Sequence, residues 1–303
     1  MLKCAPANVL RIVPKPEQTM IKFASVNGEI VPADSACLGI TDLGFLRGYG
    51  MFDFLLIKNG QPLFVEDYLD RFWRSAHQLK LKVPLDREQL IAHIHQLIGS
   101  NGLADASIRL VLTGGYASDG YSPSENANLV ILEHEYPTCH PDKYEKGISL
   151  LLHEYQRQFP AIKTTNYVVG ILMREQLQKA GADDLLFYQN GFITETTRAN
   201  FFIVTPEGGI VTAGEGILEG ITRKHTLMLA RKHYQVEMRQ PEVGELKTAK
   251  EAFITSSTKR VMPVVQVSDI VIGNGKPGPV SAHLLELLKE AETAYLKNDA
   301  RVS

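Results

Sequence analysis

Ile162-Lys163-Thr164-Thr165-Asn166-Tyr167 is a short polar stretch that separates two unlike segments of the chain. Before it, Ile148 to Tyr155 reads as a strand; after it, Asn166 to Ala180 reads as a helix, with Gly181 in the C′ position where a left-handed residue ends a helix at little cost. A lysine therefore stands in the loop after Pro160, between a strand and a helix.

Moving outward toward the C-terminus, Asp184 to Tyr188 and Phe201 to Val204 read as strands on either side of Asn190-Gly191, and Gly208 to Thr212 extends the pattern. Helices return at Thr222 to His233 and from Pro279 to Lys297. Toward the N-terminus, Tyr136 to Gly147 contains Pro137, Pro141 and several charges, the composition of a domain boundary.

Ahead of that boundary, Ile21 to Pro32 reads as two strands around Asn27-Gly28, because Asn-Gly supplies the positive φ values of a tight hairpin. A second hairpin is expected from Phe52 to Ile57 and Pro62 to Val65 around Asn59-Gly60. Glu66 to Leu81 follows as a helix with Leu69, Phe72, Trp73, Ala76 and Leu79 in one apolar stripe. Leu85 to Ile98 is a second helix, stopped by Gly99-Ser100-Asn101-Gly102. Ile108 to Leu112 and Asn128 to Glu133 are strands separated by the Gly/Ser/Asp-rich loop Thr113 to Asn126.

Short strands interleaved with a few helices predict an α+β protein of two sheet-containing domains. The expected organisation is an extension over residues 1–20, a smaller N-terminal domain over 21–135, a linker over 136–147 and a larger C-terminal domain over 148–303.

Composition narrows the function classes. With 303 residues, 44% of them apolar and 22% charged, the chain can bury a substantial core and has no bias toward disorder. A formal charge of −2 argues against a surface built to neutralise nucleic-acid phosphates, while leaving room for a local anion pocket. Cys4, Cys37 and Cys139 are scattered and odd in number, so neither a disulfide framework nor a metal cluster is expected, and a reducing, cytoplasmic setting fits. No apolar run reaches membrane-spanning length, and the first twenty residues, with three prolines and charges, do not read as a signal peptide.

Four segments then stand in a telling order: Arg47-Gly48-Tyr49-Gly50-Met51-Phe52-Asp53 with Tyr68-Leu69-Asp70-Arg71; Ile162 to Tyr167; Ile193-Thr194-Glu195-Thr196-Thr197-Arg198-Ala199-Asn200; and Gly216 to Arg223 with Thr255 to Pro263. This ordered set resembles the fold-type IV pyridoxal-phosphate enzymes, also called class IV aminotransferases. The group includes branched-chain amino acid aminotransferases, D-amino acid aminotransferases and 4-amino-4-deoxychorismate lyase. The resemblance covers roughly Ile21 to Leu288 and is nearest the branched-chain group.

The resemblance implies pyridoxal 5′-phosphate, held by Lys163 as a Schiff base; the released amine then carries a proton between the substrate Cα and the cofactor. Glu195 is implied as the carboxylate that keeps the pyridine nitrogen protonated, so that the ring draws electrons from Cα. Arg71, with a guanidinium fork suited to a dianion, is implied at the phosphate. Ile221 and Thr222 open a helix after Glu219-Gly220, so their N–H groups can face an anion. Ser257 adds a hydroxyl, Tyr167 lies near the cofactor's ring oxygen, and Asn200 organises the Glu195 loop.

On the substrate side, Phe52, Arg109 and Thr258 are the candidates. Ser107-Ile108-Arg109 stands where the branched-chain enzymes have Tyr-Ile-Arg, so Arg109 is expected to receive an acidic co-substrate. Phe52 and Gly114 replace the tyrosine and arginine of the D-amino acid enzymes, which favours L-amino acids. Arg198 is a further departure, adding a charge where the family has small residues. The expected reaction is ping-pong aminotransfer between a branched-chain L-amino acid or glutamate and a 2-oxo acid. Alternatives are a 4-amino-4-deoxychorismate lyase and a D-amino acid aminotransferase. A homodimer with small-molecule substrates is implied, without nucleic acid, membrane or metal.

Overall fold

The computed structural model describes residues 21–123 and 125–299; the extension expected over 1–20 lies outside them. The chain divides into two units: one runs up to Pro62 and includes Phe72–Tyr136, the other combines Leu63–Arg71 with the chain from Pro137 onward.

The first unit is built on a six-stranded antiparallel sheet. Strands β1 (Phe23–Val26) and β2 (Glu29–Pro32) form the expected hairpin, with Asn27 and Gly28 at positive φ. After the short α1 (Leu43–Arg47) come β3 (Gly50–Lys58) and β4 (Gln61–Pro62), then α2 (Val65–Gln78), α3 (Arg87–Asn101), β5 (Ala106–Thr113) and β6 (Asn128–Glu135). The strand order is β2-β1-β6-β5-β3-β4. Alternation along the strands buries Met51, Leu55, Ile57, Ile108, Leu110, Leu112, Leu129 and Ile131. Buried Leu90, Ile94 and Leu97 line the apolar side of α3.

One local expectation fails here. The segment Pro62 to Val65 is not a strand beyond Pro62: Phe64 takes a φ of 54° and Val65 opens α2. The buried Phe64 ring stacks on His225 at 3.8 Å, a contact that a continued strand would not make. The helix expected from Leu85 ends within the expected Gly99-Ser100-Asn101-Gly102 cluster: α3 runs on to Asn101 and stops at the left-handed Gly102. Asn101 ties the end of α3 to the sheet, because its side chain accepts from the N–H groups of Lys22 and Phe23 and donates to Glu133 on β6.

The second unit contains α4 (Asp142–Lys146), a short helix inside the expected linker, then β7 (Ile148–Glu154), α5 (Val168–Leu172), α6 (Arg174–Ala180), β8 (Asp184–Gln189), β9 (Phe192–Thr196), β10 (Asn200–Val204) and β11 (Ile210–Thr212). It continues with α7 (Ile221–Ala230), β12 (Val236–Met238), β13 (Glu251–Ser256), β14 (Arg260–Val267), β15 (Ile270–Val271) and α8 (Pro279–Asp299). The main sheet runs β12-β11-β10-β13-β14-β7-β8-β9, and β9 also pairs with β10 through Glu195 and Asn200. That last pairing closes β10, β13, β14, β7, β8 and β9 into a circuit.

Strand β10 is buried on both faces, which accounts for its unbroken apolar run Phe201 to Val204. Phe201 and Ile203 join Ile148, Leu186, Ile193 and Ile254 in one core. Phe202 and Val204 join Phe253, Leu227, Leu284 and Leu288 in another, with the Phe202 and Phe253 rings stacked at 4.7 Å.

The expected helix over Asn166 to Ala180 is divided at Met173 into α5 and α6, and ends at left-handed Gly181 as anticipated. The Asn190-Gly191 turn joins β8 to β9, not to the Phe201 strand, and so places Glu195 on a strand rather than in a loop. The expected α+β class with sheet-containing domains holds. Among the described residues no helix is long and apolar enough to cross a membrane.

Candidate active site

Glu195 sits near the C-terminal end of β9 and is 5% exposed. Its Oε1 accepts from Arg157 Nε at 2.8 Å and lies 2.7 Å from a second guanidinium nitrogen; Oε2 accepts from the Leu218 N–H at 3.1 Å. Burial pushes the carboxyl above its ordinary range, against the pull of Arg157, the Leu218 N–H and the nearby Lys163 ammonium. A buried carboxylate needs such partners to remain charged.

Arg157, just past β7, was not legible as a site residue. Its guanidinium also donates to the carbonyls of Ile162, at 3.1 Å, and Pro160. One side chain thus fixes both the carboxylate and the backbone immediately before Lys163. Lys163 itself is half-buried, follows the buried Ile162, and is close enough for its charge to act on Glu195.

Tyr167 precedes α5. Burial raises its phenol, and the charges of Arg157, Glu195, Arg198 and Arg71 act on it.

The loop leading to α7 is held carbonyl by carbonyl. Gln156 Nε2 donates to the Gly216 carbonyl at 2.8 Å, Asn200 Nδ2 to that of Leu218 at 2.7 Å, and Arg71 Nη1 to that of Glu219 at 3.2 Å. Asn200 therefore organises the loop before α7, working with Glu195 on the same residue, Leu218. Gly220 is the N-cap residue, and a Cβ there would stand 2.3 Å from Asn200 Oδ1. No side chain caps α7, so the N–H groups of its first turn, from Ile221 and Thr222 onward, are available to an anion. Both residues are buried.

Ser257 lies in the turn between β13 and β14, 2.6 Å from the Tyr68 hydroxyl. Tyr68 is on α2 three residues before Arg71, whose guanidinium sits 5.3 Å from the centre of the Tyr68 ring. Ser257 is thereby linked to Arg71 through a residue that sequence reasoning did not single out. Thr258 is half-buried in the same turn. Within the second unit, these contacts join Glu195, Asn200, Arg71 and Ser257 to the start of α7 at Ile221 and Thr222, with Lys163 and Tyr167 within electrostatic reach of Glu195.

Phe52 and Arg109 belong to the first unit. The Arg109 guanidinium lies 5.1 Å from the Phe52 ring centre and 5.8 Å from that of Phe54, its partner across β3 and β5. Arg109 Nε is buried without a hydrogen-bond partner among the described residues. Among those residues no group of three or more His, Cys, Asp and Glu side chains could hold a metal ion.

Comparison with known proteins gives a consistent result. The family profile described as amino-transferase class IV matches residues 50–267. A Methanocaldococcus jannaschii protein, provisionally named a branched-chain-amino-acid aminotransferase, is 30% identical over 280 residues, covering 89% of this chain and 96% of that protein. The D-alanine aminotransferase of Bacillus licheniformis is 26% identical over 88% of this chain and 95% of its own. Among solved structures, a T.th. branched-chain amino acid aminotransferase with pyridoxamine 5′-phosphate matches with a TM-score of 0.82 and 25% identity, over 92% of this chain and 96% of that one.

Proposed function

The chain belongs to the class IV amino-transferase family, as a pyridoxal-5′-phosphate-dependent aminotransferase, and on that premise we propose that it moves an amino group between a branched-chain L-amino acid or glutamate and a 2-oxo acid, with Lys163 as its catalytic residue.

The residues present fit the cofactor. A dianionic phosphate suits an uncapped helix N-terminus beside Arg71 and the Ser257 hydroxyl. A pyridine nitrogen that must stay protonated suits a buried carboxylate, and an aldehyde suits a half-buried lysine within electrostatic reach of it. When bound, the cofactor supplies the aldehyde that condenses with amines and the ring that accepts the electron pair left at Cα.

The protein groups then divide the work. Lys163 would hold the cofactor, and its ε-amine, once free, would take the proton from the substrate Cα and pass it on to the cofactor side, as aminotransfer requires. Glu195 holds a proton on the pyridine nitrogen, and Arg157 keeps that carboxylate oriented. Arg71, Thr222, Ser257 and the N–H groups of Ile221 and Thr222 hold the phosphate. Asn200 fixes the loop before α7, and Tyr167 contributes a phenol amid these charges.

The observation that carries the site reading is Arg157, which joins the buried Glu195 to the loop bearing Lys163. For the substrate, support comes from Phe52 and Arg109, which set an aromatic ring beside a guanidinium on one sheet. Such a pair suits two substrates, one apolar and one acidic; in the second unit, Thr258 is the candidate hydroxyl. The same reading includes a homodimer, supported by the exposed Ile40 and Phe45 in one unit and Val168, Ile171 and Leu172 in the other. It also includes a cytoplasmic setting, on the scattered cysteines.

The test is the visible spectrum of the holoenzyme mixed with single L- or D-amino acids in the absence of any 2-oxo acid. Conversion of the cofactor to its aminated form by glutamate and leucine-like L-amino acids is the expected result. Preferential conversion by D-amino acids would overturn the stereochemical part. Pyruvate release from 4-amino-4-deoxychorismate, with no amino acid converting the cofactor, would replace the aminotransferase reading with the lyase.

A further inference from the structure

The first turns of α2 carry two side chains that grip α7, and only one of them was expected at the site. Asp67 and Arg71 are four residues apart and so share a helix face. Arg71 reaches the Glu219 carbonyl, just before α7. Asp67 reaches the fourth and fifth residues of that helix: one carboxylate oxygen accepts from Lys224 Nζ, and the other lies 2.7 Å from His225 Nε2. The His225 ring is fixed on its face as well, stacked on Phe64 at 3.8 Å and 17°, with Tyr295 of α8 packed edge-on against Phe64 at 4.8 Å.

We infer that Asp67 is a positioning residue for the phosphate end of the cofactor site: by holding Lys224 and His225 it sets the first turn of α7 against Arg71, so that guanidinium and helix N–H groups converge on one anion. The inference rests on the proposed placement of the phosphate at Arg71, Ile221 and Thr222.

The geometry favours this over a general packing role. Asp67 and His225 side chains are 20% and 17% exposed, so the contact is shielded enough to hold a fixed orientation. The two grips bracket Ile221 and Thr222, the residues whose N–H groups face outward from the helix start. Without Asp67, the Arg71 contact before α7 loses its counterpart beyond Thr222. The N–H groups and the guanidinium could then no longer be held to a common centre, and a doubly charged ligand is the most sensitive to that loss.

The experiment compares pyridoxal 5′-phosphate with pyridoxal, which lacks the phosphate, using absorbance of the lysine-bound form to obtain dissociation constants for the full chain. In Asp67→Asn the constant for the phosphorylated ligand should rise about 10-fold, the size of one lost charge-assisted hydrogen bond, with that for pyridoxal unchanged. Asp67→Glu should recover most of the difference. His225→Ala removes the same contact from the α7 side and gives the same comparison should Asp67→Asn not fold. Equal weakening of both ligands, or of neither, would overturn the inference. Arg71→Ala is the reference: if it too leaves the ratio of the two constants unchanged, the phosphate placement itself fails. If Arg71→Ala alone collapses the ratio, only the role given to Asp67 fails.

Discussion

Arg157, half-buried, and the buried Glu195 form an ion pair in which the guanidinium faces one carboxylate oxygen through two nitrogens, at 2.8 and 2.7 Å, while also donating to the carbonyl of Ile162. The pair lies 38 positions apart in sequence yet joins the carboxylate to the residue next to Lys163. Its effect is to make the lysine's loop and the carboxylate's strand a single unit of geometry.

Arg157→Met therefore has two expected consequences. It leaves Glu195 buried without its cation, which costs about 3 kcal/mol of stability, and it frees the backbone before Lys163. Denaturant unfolding of the cofactor-free protein should show the loss of stability. The rate of covalent cofactor attachment at Lys163 should fall as well, and a wild-type rate would refute the second consequence.

Gly220→Ala tests the loop before α7 from its backbone. The added methyl would meet Asn200 Oδ1 at 2.3 Å, so either the Asn200 contact with the Leu218 carbonyl breaks or α7 shifts. Either response costs about 1–3 kcal/mol, as overpacking does, and should weaken pyridoxal-phosphate binding along with it. Isothermal titration of the variant with the cofactor reads the effect; unchanged affinity would mean that the loop adapts freely.

How much of this was legible depended on whether a side chain announces its own chemistry. Arg71, Lys163 and Glu195 were singled out only through the ordered motifs around them, where a guanidinium, an amine and an acid suit a phosphate, an aldehyde and a pyridine nitrogen. Leu218 was not, because it acts through its N–H and carbonyl, and backbone groups leave no mark on residue type. Arg157, Tyr68 and the Asp67 contacts depend on segments far apart in sequence meeting in the fold. Strand β9 was obscured because Thr194, Glu195 and Thr196 are polar residues buried together, which erases the alternation that normally reveals a strand. At the end of α3 the helix runs through Gly99, at a cost of about 1 kcal/mol relative to alanine, and it is Gly102, the last residue of the Gly99-Ser100-Asn101-Gly102 cluster, whose left-handed backbone stops it.

Asp67 gives a pH dependence of definite sign. Burial would raise its carboxyl, but the hydrogen bonds and charges of Lys224 and His225 outweigh that and hold it below the ordinary 3.8. A carboxyl depressed in the folded state stabilises the protein above its unfolded value, and the contribution is lost as pH falls through the folded value. The stability difference between wild type and Asp67→Asn should therefore be present at neutral pH and close as pH drops below the ordinary carboxylate range. A gap that persists undiminished in acid would show that the asparagine acts through packing instead of charge.

Arg109 tests how the proposed reaction tells its two substrates apart. Its guanidinium lies beside Phe52 and Phe54, and its buried Nε has no hydrogen-bond partner among the described residues, so the cation has binding capacity to offer an acidic group. Arg109→Leu keeps an apolar side chain next to Phe52 while removing the charge. If Arg109 receives the distal carboxylate of glutamate or 2-oxoglutarate, the KM for those substrates should rise about 10-fold, the worth of one hydrogen bond to a charged group. The KM for leucine, which has no distal carboxylate, should stay near its wild-type value. Steady-state kinetics with leucine and 2-oxoglutarate varied in turn reads both effects from one variant. A parallel rise for both would instead make Arg109 a structural member of the β3–β5 sheet, and the acidic co-substrate would have to find its cation elsewhere.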